Sequence, residues 1–253
     1  MASDILEKQL GPDTAFNNAE FSNIDWTAAN ISGTSFRHCT FVKARFIETL
    51  FEEAVFENCT FKECGFPRAN LRSTYFKNCN FFDPDSGVGG DFSYAQMREA
   101  SFKNCDLTTS KFRASNLYEA SFEDCMARGS NFEGASFSHT VGGLAHHANT
   151  SFNLQGCNCN YANFSGASLE GCTLSATSFR QSNLSNCDFK DADMTGADLT
   201  EADTNDACFE GTDLRGANLS GILLGSLSSF HLMKINEAQQ TDLLQGLGIQ
   251  VLN

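Results

Sequence analysis

The most constraining feature of this sequence is a large apolar residue that returns at every fifth position. It does so over residues 16–81, 92–137 and 164–224, which together hold 37 pentads. Only Ala127 and Thr204 place a smaller side chain at the central position of a pentad. A period of five matches neither the 3.6 residues of a helical turn nor the two of a strand. The chain must therefore turn once in each pentad.

A second periodic position lies two residues before each centre and holds a small residue, as in Ala19, Cys39 and Ala95. The exceptions are Ile24 and Ile222. A coil that turns at each pentad buries the central and the small residue and leaves the other three positions in water. Stacked coils then satisfy each other's backbone hydrogen bonds. The period thus predicts an all-β solenoid, although it does not by itself fix the number of sides.

The net charge is strongly acidic, with 31 acidic and 17 basic residues and a formal charge of −14. Such a charge repels nucleic acid and anionic membranes and favours a basic or neutral partner. Residues 138–253 carry 12 of the acids and only 4 of the bases. The densest block comprises Asp188, Asp191, Asp193, Asp198, Glu201, Asp203, Asp206 and Glu210.

This acidic block has two interpretations. Duplex DNA carries one charge per about 1.7 Å, so a protein surface that imitates it needs dense outward acids. The alternative is that the acids only solvate a repeat that favours Asp or Asn before the centre, in which case successive pentads spread them over different sides. In that case Asp193 and Asp213, 20 residues apart, are expected to stack.

The repeat is interrupted twice, at residues 82–91, which contain Pro84 and three glycines, and at residues 138–151. Insertions on a rigid scaffold commonly carry recognition, so these two loops are the candidate binding segments. The alternative is that both are tolerated insertions without a role. After the repeat, Asn236 is placed to cap a short helix that Gly248 ends. Its apolar residues either cover the open end of the solenoid or form a symmetric dimer contact.

The cysteines and histidines do not form a recognisable metal or catalytic site. Eight cysteines fall on the small inward position, and we expect reduced, buried thiols there. The set His146, His147, Cys157 and Cys159 suggests a zinc site, but the spacing does not match a usual ligand pattern. We therefore expect a protein that is not an enzyme and binds no metal or cofactor. The eight cysteines are Cys39, Cys59, Cys64, Cys79, Cys105, Cys125, Cys172 and Cys187.

The order of small residue, Asp or Asn, and Leu or Phe over residues 192–201 resembles the pentapeptide-repeat superfamily, whose members form right-handed quadrilateral β-helices. That resemblance implies four pentads, or 20 residues, in each coil. The 37 pentads would then form about nine coils and a rod on the order of 45 Å long.

Residues 80–83, 91–107 and 161–165, the two loops and the Leu-Gly-Ile motif at 247–249 together resemble the Qnr family of bacterial quinolone-resistance proteins. The likeness covers roughly residues 70–253. It implies a dimeric DNA mimic that binds gyrase or topoisomerase IV and relieves quinolone poisoning through both loops. This chain departs from that pattern by about two additional N-terminal coils and a longer second loop. The implied contact residues are Asp83, Pro84, Asp85, Ser86, Gly87, Val88, Gly89, His139, Thr140, Val141, Leu144, His146 and His147.

We thus expect an N-terminal cap over residues 1–13, a solenoid over 14–226 and a C-terminal helix with a dimerisation segment over 227–253. Because no export signal or membrane span is evident, we expect a cytoplasmic protein with no membrane contact. The main alternative function is a repeat scaffold for another protein partner, such as an immunity or regulatory factor. The expected dimer residues are Leu243, Leu244, Leu247, Ile249 and Val251.

Overall fold

The computed structural model describes residues 10–140 and 148–249, which form a four-sided parallel β-solenoid with almost no helix. The fold class is the predicted one. A 3-10 turn at Leu224–Ser226, another at Glu237–Gln239 and helix α1 at Gln240–Gly246 follow the strands. The strands are β1 Ala15–Asn17, β2 Glu20–Ser22, β3 Ser35–Arg37, β4 Thr40–Val42, β5 Val55–Glu57, β6 Thr60–Lys62, β7 Tyr75–Lys77, β8 Ser101–Lys103, β9 Ala120–Glu123, β10 Ser138–Thr140, β11 Ala148–Thr150 and β12 Phe152–Asn153.

Successive coils pair in parallel and in register, so each pentad of a coil lies on one of four faces. Face 1 is the sheet β1-β3-β5-β7-β8-β9-β12 and continues as single bridges from Asn153 to Lys234. Face 2 begins with β2, β4 and β6 and continues as bridges to Asn218. Faces 3 and 4 consist of bridges that run from Asp25 to Asp203 and from Asn30 to Ser229. Four pentads per coil is thus observed.

The core is a set of columns in which each central residue lies on its equivalent in the next coil. On face 1 the rings of Phe36 and Phe56 are 4.8 Å apart and nearly parallel, and Phe56 and Phe76 are 5.0 Å apart. Rings on neighbouring faces meet edge to face, as Phe56 and Phe61 do at 5.5 Å. Offset-stacked and edge-to-face pairs are the favoured aromatic geometries. The small inward residues leave room for these rings.

The corner after each face explains why Asn and Asp are frequent just before the centre. At the corner after Trp26, Ala28 has φ +57° and the Ala29 amide donates to the Trp26 carbonyl at 2.9 Å, which is a type II turn. On face 4, the Asn30 side-chain oxygen accepts the Ser32 amide at 3.0 Å. This Asx turn recurs around the solenoid and needs only a side-chain oxygen, which Asp and Asn both supply.

The solenoid resumes after the second interruption earlier than the sequence indicates. Asn153 pairs with Ser121, which makes Leu154 and Cys159 the centres of the first two pentads. Phe152 occupies a small inward position and is buried against Phe122 at 5.4 Å between ring centroids. The period was missed here because a cysteine stands at a centre and a phenylalanine at a small position.

The C-terminal end of the solenoid is closed by the segment that follows it. Bridges continue past residue 226, the expected boundary, to Lys234. The Gln239 side chain is buried and donates to the Leu214 and Ala217 carbonyls, both at 2.8 Å. Its oxygen accepts the Asn236 amide, which starts the predicted short helical segment. The expected N-terminal cap lies mostly outside the described residues. Among the described helices, none has the length and apolarity needed to span a bilayer.

Candidate functional site

The two interruptions leave the rod at diagonally opposite corners. Loop 1, residues 82–91, is inserted between Asn80 on face 2 and the face 3 position of Asp91. Loop 2, residues 138–151, is inserted between face 4 and face 1, because Ser136 belongs to face 4 and β12 to face 1. The corner between faces 2 and 3 lies across the coil from the corner between faces 4 and 1.

Loop 1 is a tight hairpin held by Asp83. The Asp83 amide donates to the Val88 carbonyl at 2.9 Å, and the Gly87 amide donates to the Asp83 carbonyl at 2.8 Å. The Asp83 carboxylate accepts the Ser86 hydroxyl at 2.7 Å and the Asp85 amide at 3.3 Å. The Ser86 hydrogen bond is the main reason that the pKa of Asp83 lies below its usual value.

Loop 1 is also fastened to the following coil. The Thr109 hydroxyl donates to the Gly87 carbonyl at 3.1 Å. Gly89 packs on the backbone of residues 108–110, where a Cβ atom would collide with the Thr108 carbonyl. Asp83 and Gly89 are consequently buried, which removes them from the expected contact residues. The exposed tip that remains is Pro84, Asp85, Ser86, Gly87 and Val88.

Loop 2 begins and ends as an antiparallel ribbon of β10 and β11, in which His139 pairs with Asn149. The Ser151 amide closes the base by donating to the Phe137 carbonyl at 3.1 Å. His139 is exposed and its ring lies 5.5 Å from that of Tyr118. The other expected contact residues, Val141, Leu144, His146 and His147, lie outside the described residues, as does the Thr140 side chain.

The acidic block does not gather on one face. Asp188 lies on face 4, Asp193 on face 1, Asp198 on face 2 and Asp203 on face 3. Asp193 pairs with Asp213 of the next coil, so the expected stacking of these two is confirmed. The distribution is the one expected of a repeat that favours Asp before the centre, and it surrounds the rod with charge.

Half of these acids cap turns. Asp188, Asp193 and Asp198 each accept, at 3.0 Å, the amide of the residue two positions later. Asp203 does the same at 3.1 Å. The remaining four acids stand elsewhere in the pentad: Asp191, Glu201 and Asp206 occupy left-handed corner positions and are exposed, and Glu210 is half-buried.

Few bases neutralise this block. Arg180 lies 3.0 Å from Asp198, and Lys190 lies 3.9 Å from Glu210. Within the described part of the chain, Asp188, Asp191, Asp193, Asp203 and Asp206 have no ion-pair partner within 4.0 Å. The surface after loop 2 is therefore acidic and only partly compensated by bases.

The C-terminal segment separates into a buried and an exposed part. Leu243 is buried in the core cluster and covers the solenoid end, so it is not free for a dimer contact. Leu244 is half-buried beside an apolar hollow that Phe230 and Met233 also line. Leu247 and Ile249 remain 48% exposed. Val251 lies outside the described residues.

The cysteines are free thiols, and all are buried except the half-buried Cys208. Cys157 and Cys159, the cysteines considered and rejected as zinc ligands from the sequence, are buried in the solenoid core. Within the described ranges, no group of three or more His, Cys, Asp or Glu side chains could hold a metal ion. Burial raises the pKa of the Cys64, Cys172 and Cys187 thiols to about 12.

Comparison with known families agrees with this architecture. The family model described as pentapeptide repeats matches residues 13–47, 49–82, 90–125 and 105–141, and the model described as a pentapeptide repeat region matches residues 162–239. The chain belongs to the pentapeptide-repeat family. Both matching models describe repeats and neither describes a catalytic domain.

Two curated relatives of this pentapeptide-repeat chain are QnrB proteins. Pentapeptide repeat protein QnrB4 of Escherichia coli is 38% identical over 34% of this chain and 40% of its own length. Quinolone resistance pentapeptide repeat protein QnrB96 of Scandinavium goeteborgense is 34% identical over 39% of this chain and 45% of its own. The chain thus matches less than half the length of either curated relative.

Solved structures of QnrB1, a plasmid-mediated fluoroquinolone resistance protein, match over much more of the chain. One covers 95% of this chain and 99% of its own, with 27% identity and a TM-score of 0.72. The full-length structure covers 93% and 100%, with 26% identity and a TM-score of 0.77. This chain is therefore a Qnr-like pentapeptide-repeat protein.

Proposed function

We propose that this protein binds a bacterial type II topoisomerase, gyrase or topoisomerase IV, and protects it from quinolones by occupying a site that otherwise takes duplex DNA. The observation that carries the proposal is the likeness to QnrB1 over nearly the whole chain. QnrB96 and QnrB1 are quinolone-resistance proteins, and the two family models that match this chain describe repeats rather than a catalytic domain.

The placement of the loops supports a partner that encloses the rod. Because loops 1 and 2 leave at opposite corners, a flat partner surface would reach only one of them. A cleft that normally surrounds duplex DNA would reach both. The acids on all four faces of the C-terminal coils, most of which have no ion-pair partner among the described residues, suit such a cleft, since its walls carry positive charge for DNA.

Loop 1 supports the proposal through its rigidity. Its hairpin is closed by Asp83 and fastened by Thr109, so little conformational entropy is lost when the exposed tip binds a partner. Val88, 47% exposed, is the apolar side chain of that tip. An exposed apolar group on a rigid turn is a suitable anchor for a protein interface.

The expected dimer is part of the proposal. Phe230, Leu232, Leu247 and Ile249 give the C-terminal segment an area rich in exposed apolar side chains. A symmetric contact through this area would cover it and would place the acidic block of each chain beside the centre of a longer rod. Sedimentation velocity tests this step, since Leu247→Asp together with Ile249→Asp should give the monomer.

The direct test is gyrase supercoiling in the presence of a fluoroquinolone while this protein is titrated from nanomolar to tens of micromolar. We expect supercoiling to be restored at intermediate concentration. Inhibition without restoration would contradict the protection role while keeping topoisomerase binding. No effect on gyrase or topoisomerase IV would exclude both.

The loop 1 tip is tested by replacing residues 84–87 with the two-residue turn Asn-Gly, which should keep the pairing of Asp83 with Val88. We expect the solenoid to remain folded and the concentration needed for protection to rise about tenfold, or about 1.4 kcal/mol. Replacing the exposed corner pair Arg113 and Ala114, on another corner, serves as the control. Unchanged protection by the shortened loop would remove loop 1 from the interface.

A second candidate is a pentapeptide-repeat scaffold for another protein, with no DNA mimicry. One observation favours it: Asp188, Asp193, Asp198 and Asp203 act as turn caps, which accounts for these acids without any partner. Retention of gyrase on the immobilised protein distinguishes the two candidates. If gyrase is not retained in low salt, the scaffold is favoured.

A further inference from the structure

Tyr118 is buried at a position of the pentad that elsewhere faces water. It follows the centre Leu117 on face 4, and the equivalent residues Arg72, Arg98 and Lys190 have side chains 37–48% exposed. Tyr118 is only 8% exposed. Something outside the solenoid core therefore covers its ring.

The covering groups come from two directions along the rod. The Arg98 guanidinium of the preceding coil lies 5.3 Å from the centre of the Tyr118 ring. His139, in the first strand of the loop 2 ribbon, lies 5.5 Å from the same centre at an interplanar angle of 35°. Tyr118 is thus the contact between the solenoid surface and the base of loop 2.

Arg98 is itself held in place. Its Nε and Nη2 atoms donate to one carboxylate oxygen of Glu119 at 3.1 and 2.9 Å, and Nε lies 3.1 Å from Glu99. A guanidinium fixed by two carboxylates loses little further freedom when it lies against an aromatic ring. The Tyr118 ring and the Arg98 guanidinium therefore form a fixed contact surface for His139, which we call the aromatic seat.

The backbone connects the same residues to the other end of loop 2. The Glu119 amide donates to the Ser151 carbonyl at 2.7 Å, where the loop rejoins the solenoid. The Tyr118 carbonyl accepts the Glu99 amide at 3.2 Å, which fixes its main chain to the preceding coil. Both ends of loop 2 thus meet the solenoid at Tyr118 and Glu119.

We propose that Tyr118 is a positioning residue that seats the base of loop 2 and sets the direction in which the loop leaves the rod. The backbone bonds at Ser151 fix where the loop starts and ends. They leave the ribbon free to tilt about its base, whereas a side-chain contact on His139 opposes tilting. The seat stands on geometry alone, and its effect on drug protection rests on the proposed function.

The test compares Tyr118→Ala with Tyr118→Phe, which keeps the ring, and with Tyr161→Ala. Tyr161 is a matched control because Arg128 lies 4.8 Å from its ring centre, yet it is 51% exposed and belongs to a face 2 pentad, away from the corner between faces 4 and 1 where loop 2 leaves. Hydrogen exchange of residues 138–140 and 148–150 should be roughly fivefold to tenfold faster in Tyr118→Ala alone. Exchange in the coil of residues 193–212, two coils beyond Tyr161, should be unchanged in all three.

Equal exchange of the ribbon in Tyr118→Ala and the unmodified protein would overturn the seat. If Tyr118→Ala does not fold, Arg98→Met removes the charge that holds the ring and should give the same local change more weakly. The supercoiling assay is the second arm. The concentration needed for protection should rise in Tyr118→Ala and not in Tyr118→Phe, because the competent loop orientation becomes less populated.

Hydrogen exchange tests the role of Tyr118, and the supercoiling assay tests the proposed function, so the two proposals can fail separately. If the unmodified protein gives no protection, the proposed function fails while the exchange result still decides the seat. Faster ribbon exchange with unchanged protection would show that Tyr118 orders the loop without any consequence for binding, which would overturn its role in positioning a functional loop.

Discussion

The coils before loop 2 and the coils after it share one backbone but distribute charge differently. Before loop 2, bases on one coil pair with acids on the next, as Arg37 does with Glu57 at 2.9 Å and Lys103 with Glu123 at 2.9 Å. After loop 2 the acids outnumber the bases 12 to 4, and most of the acidic block has no basic partner among the described residues.

The difference shows that the fold of this repeat does not require a particular surface charge. The position before the centre often supplies an oxygen to the turn, and Asn183 does so with the Ser185 amide at 3.1 Å much as Asp203 does with Asn205. Since both residues cap equally well, the choice of Asp in the C-terminal coils is not a requirement of the solenoid. It is available for solubility or for a partner.

The core differs as well. Before loop 2 the centres are mostly stacked phenylalanines, and five cysteines fill the inward column between faces 1 and 2, each thiol donating to a carbonyl of the preceding coil. After loop 2 leucine and methionine alternate with phenylalanine, and the same corner closes with backbone bonds such as Ala197 to Met194 at 3.1 Å. The two parts reach similar burial by different packing.

The largest expected effect concerns this core. Phe112 stacks between Phe92 and Phe132 at 5.1 and 4.7 Å, whereas Leu184 occupies a fully buried centre after loop 2. We expect Phe112→Ala to lower the free energy of unfolding by about 4 kcal/mol and Leu184→Ala by about 3 kcal/mol. Urea unfolding followed by hydrogen exchange in the adjacent coils measures both, because a solenoid can open locally. A cost below about 1 kcal/mol for Phe112→Ala would mean that the stacked column contributes little.

The next effect tests charge directly. Replacing Asp193, Asp198 and Asp203 with Asn removes three charges while keeping every turn cap. We expect the dissociation constant for the topoisomerase to rise about tenfold in low salt, with the difference shrinking as salt screens the interaction.

The matched control for this variant lies before loop 2. Asp25, Asp91 and Asp106 stand at the same position of the pentad and cap the same turn at 3.0 Å, and Asp91 lies on face 3, outside the exposed tip of loop 1. Their replacement with Asn changes the net charge by the same amount, and we expect less than a twofold change in affinity there. Equal losses in the two variants would show that only total charge matters, and no loss in either would contradict charge mimicry.

Much of this architecture was predictable because the period of five is set by burial. Large side chains at the centre and small ones two residues earlier are required at every corner, so the sequence indicates the solenoid and both interruptions. The start of the coils at Leu154 was not predictable, because Cys159 at a centre and Phe152 at a small position exchange the usual sizes. Their volumes compensate only when the columns are stacked.

The candidate site was less predictable for a related reason. The burial of Asp83 and Gly89 depends on a contact with residues 108–110 of the next coil, which no local pattern reveals. The seat at Tyr118 depends on Arg98 in the preceding coil, 20 residues earlier. A signal was present, since an aromatic residue at an outward position of a charged column is unusual in this chain.

The smallest expected effect is the coupling energy within single exposed ion pairs. Comparing one pair before loop 2 with one pair after it tests whether the electrostatic field differs between these two parts of the rod. Arg180 and Asp198 after loop 2 match Arg37 and Glu57 before it in distance, at 3.0 and 2.9 Å, and both pairs are partly exposed. Exposed pairs contribute about 0.2–1 kcal/mol. Double-mutant cycles with Gln and Asn should give similar coupling energies for the two pairs.

The two single arginine variants should differ in their free energy of unfolding, although the coupling energies of the two pairs are similar. Arg180→Gln should cost more than Arg37→Gln, because Arg180 also offsets neighbouring acids that have few other bases near them. Partial burial opposes ionisation of Asp198, but hydrogen bonds from Thr200 and the Arg180 charge keep its pKa below the usual value. The stabilisation is therefore present above the unfolded-state pKa of about 3.9 and is lost as the pH falls through the folded-state value. Urea unfolding at pH 7 and near pH 3 should show the Arg180 variant approaching the unmodified protein at acid pH. Equal costs for the two arginine variants at pH 7 would mean that the acidic surface after loop 2 exerts no net repulsion, which would favour its interpretation as simple solvation.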